Sequence, residues 1–104
     1  MNGTPDYSWE KFFLAVTTLA SSQKNLRERL SDAYWHNLHS LTGSPMPWED
    51  LRDRFEQLRG KLLPEISTHG EVNAHLDEDG LRELAAEIVS LFDRVCARYP
   101  RDWR

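Results

Sequence analysis

The chain has 104 residues, with 13 Lys and Arg against 17 Asp and Glu and a formal charge of −4. One domain is the natural unit at that length, and it buries roughly two-thirds of its unfolded surface, enough for a core without covalent staples. A lone cysteine excludes an internal disulfide framework, and the mild acidity gives no whole-chain electrostatic footprint for nucleic acid.

Apolar residues recur at helical spacing and nowhere in strict alternation. That pattern predicts an all-α, single-domain four-helix bundle, with helices at about 8–21, 22–42, 47–63 and 77–99, mostly antiparallel because the links are short. The first helix starts after Ser8 as N-cap, with Asp6 as the alternative. Its stripe is Trp9, Phe12, Phe13, Val16, Leu19 and Ala20, and Leu14 falls off it. Thr17 and Thr18 are poor helix formers, so this helix relies on packing. Residues 12–20 are about half the length of a bilayer span. Asp6 and Glu10 stand where a secretory leader carries positive charge, so the segment reads as a core helix. With no other long apolar stretch and a single thiol, the expected location is cytoplasmic.

The second helix starts near Ser21 or Ser22, carries Leu26, Leu30, Ala33, Tyr34, Leu38 and Leu41 along one side, and ends before Gly43, a residue that accepts the left-handed conformation past a helix end. Trp35 lies away from the middle of that side. The third helix opens on Pro47, whose missing amide is harmless at a first position, and on Glu49 and Asp50, which suit the positive end of the helix dipole. Leu51, Phe55, Leu58 and Leu62 form its stripe, and Pro64 stops it. The stretch 64–76 is a long loop or short helical turn, from which Ile66 and Val72 can tuck into the core.

The fourth helix carries the strongest signal. Asp77 is its cap, between Leu76 and Leu81 as a hydrophobic staple. Leu81, Leu84, Ala85, Ile88, Val89, Leu91, Phe92, Val95, Cys96 and Tyr99 cover nearly half its circumference, so it should touch two or three neighbours and sit at the centre of the bundle. Cys96 on that stripe reads as a small buried hydrophobe. Pairs such as Asp50–Arg54 and Glu78–Arg82 have the i,i+4 spacing of helix-surface ion pairs.

Three polar constellations carry possible chemistry. Asp32, His36 and His39, at i, i+4 and i+7, share a face of a continuous helix, and a carboxylate with two imidazoles is a donor set for a divalent metal. His69 or His75 would be needed as a further ligand. Arg94, Arg98, Arg101 and Arg104, interleaved with Tyr99 and Trp103, have the composition that grips phosphates and stacks on bases, although Asp93 and Asp102 dilute it. Arg29 and His36 are separated by six residues. This spacing resembles the Arg-x(4–6)-His motif of HEPN-type ribonucleases, small all-helical domains. The resemblance implies acid–base cleavage of RNA by the pair across a dimer; Leu30 stands where that family usually has a polar residue.

There is no glycine-rich phosphate loop, nucleophile elbow or cysteine pair, so neither a cofactor nor catalysis is expected. The heavier signal is aromatic excess: four Trp, and 11% aromatic residues. Trp and Arg are preferred anchors of protein interfaces. The expected function is therefore a non-enzymatic interaction or assembly module, with Trp35, Trp48, Leu14 and Met46 meeting a protein partner or a second copy. The alternatives are a nucleic-acid-directed protein and a metal-binding helical protein.

Overall fold

A computed structural model describes residues 4–63 and 72–99. Four α-helices follow in order, α1 (Pro5–Ser21), α2 (Leu26–His36), α3 (Glu49–Leu62) and α4 (Glu78–Arg98), with a 3₁₀ turn at Leu38–Thr42 between α2 and α3. This is the expected all-α four-helix bundle, and among the described residues there is no strand.

Helices α1, α2 and α4 each begin where a side chain satisfies an orphan amide. Thr4 caps α1, its hydroxyl accepting from Tyr7 N at 3.1 Å, with Pro5 in the first position. The expected start at Ser8 is thus one turn late, because Pro5, which lacks the amide that would be orphaned there, suits the first helical position. Ser8 is buried, its hydroxyl donating to Thr4 O. Thr17, Thr18 and Ser21 bond back to the carbonyls four residues earlier, so their hydroxyls stay satisfied within the helix.

The expected helix over 22–42 is two elements. Asn25, not Ser21 or Ser22, is the cap of α2, accepting from Glu28 N at 2.9 Å. The α-helix stops at His36, and the backbone breaks at Asn37, with φ −128° and ψ −62°. The 3₁₀ turn that follows buries Leu38 and Leu41. Its tighter winding brings residues three apart into line, which turns both leucines inward. Gly43 closes the turn at φ −90°, so the left-handed conformation anticipated for it is not used.

Helix α3 opens on Trp48 as N-cap, without a side-chain capping bond, so Pro47 lies before the cap and two residues outside the first helical position expected for it. Asp77 caps α4, its carboxylate accepting from Gly80 N at 2.8 Å. Helix α4 packs on α1, α2 and α3. Its inward residues Leu81, Leu84, Ile88, Leu91 and Val95 join Phe12, Ala15, Leu30, Ala33, Tyr34, Leu51, Phe55, Leu58 and Leu62 in one core. Ring contacts of Trp9 with Phe92 and Tyr99 put the start of α1 beside the end of α4. Asp50 meets Arg98, and Arg54 meets Glu87. Both α1 and α3 therefore run antiparallel to α4. Helix α2 is placed differently: Arg29 near its start donates to Leu19 O, and its C-cap Asn37 still contacts Thr18.

The ion pairs differ from the local ones anticipated. Asp50 joins Arg98 through two 2.6 Å bonds, and Arg54 joins Glu87 at 2.9 Å and Ser90 at 3.1 Å. Glu78 yields to Asp79 as the partner of Arg82. The first two pairs cross between α3 and α4, because the antiparallel neighbour offers a carboxylate where the same helix offers only an i+4 partner. Before α4, Val72 is buried as expected, and Arg27 donates to Asn73 O at 2.8 Å and to Leu76 O at 2.6 Å, tying this approach to α2. Pro64 and Ile66 lie outside the described residues, as does most of the 64–76 loop.

Two measurements check this arrangement. Ile88 is fully buried whereas Val89, its neighbour, is 48% exposed. Ile88→Ala should cost ~2–5 kcal/mol in urea unfolding and Val89→Ala under ~0.5 kcal/mol; similar costs would contradict the facing of α4. Separately, the hydrogen bond from Arg98 holds the Asp50 carboxyl at about 2, below its ordinary 3.8. The ionised Asp50 therefore adds stability above pH 4 that is lost as pH falls toward 2. Asp50→Asn should flatten this part of the stability–pH curve; an unchanged slope would show that the pair does not form.

Candidate functional site

The arc of α4 that the other helices leave open adjoins α1. Residues Ala85, Val89, Phe92 and Cys96 recur at i, i+4, i+7 and i+11, and Trp9, Phe13, Val16 and Ala20 repeat the same spacing on α1. This is the spacing of a coiled-coil seam. The two rows run antiparallel, side by side. Phe13 is 43% exposed and stacks on Trp9 at 5.0 Å between ring centres, while Phe92 lies 6.3 Å from Phe13. The aromatic rings form a ridge at one end of the face. At the other end a shallow groove of about 300 Å³ has Ala20, Ala85 and Ala86 on its floor and rim beside Val16 and Val89, with Leu19 and, from α2, Leu26 completing its lining. Charges frame the face: Asp6 and Glu10 stand at the ridge end, and Arg29 borders the groove. Asp6 also bonds Tyr99, and this bond is the main reason the phenol titrates above its ordinary value.

The apolar stripes predict Trp9, Phe13 and Val89 in the core and Cys96 among buried residues. The structure instead puts Phe13, Val89 and Cys96 at the surface. The signal was present in the matched spacing of the two rows and in a stripe on α4 too broad for its neighbours to cover.

The residues expected to meet a partner are not gathered in this way. Met46 is 1% exposed and belongs to the core, because the turn before α3 folds it inward. Trp48 and Trp35 are half-buried and pack against the core. Trp35 sits 5.0 Å from the Tyr34 ring and 4.9 Å from His39. Of the four, Leu14 alone is exposed.

The polar constellations are likewise redistributed. The break at Asn37 takes His39 off the helical screw that would align it with Asp32 and His36, and it turns His39 toward Tyr34. Asp32 is paired with Lys24 at 2.9 Å. Among the described residues no three His, Cys, Asp or Glu side chains converge to hold a metal ion. His75 is exposed, its amide donating to Asn73, and His69 lies outside the described residues. Arg29 donates to Leu19 O at 2.8 Å and to Lys24 O at 2.9 Å, capping the end of α1, whereas His36 is exposed at the end of α2. Arg94 is exposed and Arg98 is held by Asp50, while Arg101, Trp103 and Arg104 lie outside the described residues.

A second cluster had no counterpart in the sequence reading. Tyr34 is fully buried, yet its hydroxyl accepts from Arg59 Nε at 2.9 Å and lies 3.3 Å from His39 Nδ1. Arg59 in turn grips Glu56 at 2.7 Å. The Tyr34 bond is the leading cause that raises the Arg59 guanidinium above its ordinary value. A buried tyrosine must find a partner for its hydroxyl, but the sequence does not say which. This network ties α2, the 3₁₀ turn and α3 together.

No protein-family model matches the chain, and neither a curated protein nor a solved structure matches it significantly.

The Tyr34 network gives a stability test. Tyr34→Phe strips Arg59 Nε of its acceptor and should cost ~1 kcal/mol or more in urea unfolding, with helix content unchanged. Unchanged stability would mean that solvent already serves Arg59.

Proposed function

We propose that this chain is a non-enzymatic protein-interaction module that works through the α1–α4 face. One observation carries the reading: Phe13 and Val89, 43% and 48% exposed, lie on a continuous apolar strip that spans two helices. Single exposed apolar residues are ordinary, but a contiguous strip framed by charge is the usual mark of a docking surface. Its aromatic anchors suit the desolvated centre of an interface. The polar groups support the same reading, since Arg27, Arg29, Arg52, Arg54, Arg59 and Arg98 bind carbonyls, carboxylates or a phenol of the chain itself. The exposed thiol of Cys96 suits a reducing compartment such as the cytoplasm. Among the described residues no helix is long and apolar enough to cross a membrane.

The test compares assemblies formed by the tagged wild type with those formed by Phe13→Asp and Val89→Asp. Both variants should keep native helix content yet lose a stoichiometric assembly that Leu14→Asp retains. An assembly indifferent to Phe13 and Val89 would overturn the reading.

A further inference from the structure

The α1–α4 face has a raised end and a hollow end, and this asymmetry says what kind of surface would cover it. Phe13, stacked on Trp9, is the knob. The groove that includes Ala20 and Ala86 is the hole. They lie seven residues apart on α1, or ~10 Å along its axis. A surface that carries both a knob and a matching hole is complementary to itself when turned by 180°. An isologous interface has that requirement, since residue i must meet j while j meets i.

We infer that the partner of this face is a second copy of the chain, in a two-fold dimer. The two-fold axis lies in the interface, perpendicular to the helices, and crosses between Val16 and Phe13 on α1 and between Val89 and Phe92 on α4. In this dimer Phe13 and Trp9 of each protomer enter the Ala20–Ala86 groove of the other. An axis parallel to the helices is disfavoured because it sets ridge on ridge and leaves groove facing groove, and buried voids forfeit contacts.

Charge agrees with the perpendicular axis. It places the acidic ridge end of one copy, Asp6 and Glu10, against the groove end of the other, bordered by Arg29. Opposite charges at a rim fix register more than they add affinity. Area sets the strength. A face two helices wide and as long as α1 offers ~500 Å² per copy, or ~1,000 Å² in all, the lower limit for a specific interface. The dimer is accordingly weak and concentration-dependent.

This inference rests on the interaction reading and can fail without it. Sedimentation velocity from about 10 μM to about 1 mM should show a monomer–dimer equilibrium, the range in which so small an interface titrates. Phe13→Asp, which removes the knob, and Ala86→Trp, which fills the hole, should each weaken dimerisation at least tenfold. Leu14→Asp, on another face of α1, should leave it unchanged. Val89→Cys in a Cys96→Ser background places a thiol beside the axis and should give a disulfide-linked dimer under mild oxidation.

A wild type that stays monomeric throughout overturns the second-copy inference. So does a dimer insensitive to both Phe13→Asp and Ala86→Trp, or a dimer in which the Val89 thiols never link. If the protein is monomeric but a stoichiometric assembly with another protein is still lost in Phe13→Asp, the interaction reading stands and the inference about its partner falls.

Discussion

Everything in this structure depends on the apolar arc of α4. Leu81, Leu84, Ile88, Leu91 and Val95 point inward along the 21-residue helix, and no single neighbour can cover them. An isolated helix of this length gains little from propensity alone, so its order comes from tertiary burial. Helices α1, α2 and α3 all pack on it. They cover the inward arc completely and stop short of Val89 and Cys96, so the surface strip is what remains after the core has been closed. Core and candidate interface are two parts of one stripe.

The polar contacts set how the helices meet. Arg29 reaches Leu19 O in the last turn of α1, Arg27 reaches Asn73 O ahead of α4, and Arg52 donates to Met46 O at 3.0 Å, fixing the turn before α3. Arg54 and Arg98 grip carboxylates across the α3–α4 pair. The planar, forked guanidinium can satisfy several acceptors in a fixed geometry, which a lysine ammonium cannot. The arginine-rich composition therefore has a structural use: it supplies hydrogen bonds to carbonyls at a helix end and in the links between helices, which the helical ladder leaves without donors. Exposed pairs such as Arg82–Asp79 add little.

Much of the fold is legible in the sequence, for reasons that can be traced to residues. The periodicity of Leu81, Leu84, Ile88, Leu91 and Val95 and the Asp77 cap locate α4 to within a residue. The narrow stripe of Leu51, Phe55, Leu58 and Leu62 locates α3, whose start falls two residues after the one expected because Pro47 stands outside the cap. The break at Asn37 is not legible, because Leu38 and Leu41 satisfy a helical stripe as readily as a 3₁₀ turn does; tertiary packing decides between them. The Asp50–Arg98 and Arg54–Glu87 pairs are hidden because they depend on which helix lies alongside. For the candidate site, periodicity marks Phe13, Val89 and Cys96 as apolar-face residues, but it cannot say whether the bundle has enough helices to cover that face. Met46 misleads in the opposite sense, since a residue between two prolines looks exposed until the turn that contains it is seen to fold inward.

Native-state hydrogen exchange resolved by residue tests the central claim most directly. If three helices enclose the inward arc of α4, the amides of Leu84, Ile88 and Leu91 should be among the slowest in the protein, opening only with global unfolding. Exchange of these amides at lower free energy than those of α2 or α3 would mean that α4 frays independently of its neighbours, and the bundle would not be organised around it.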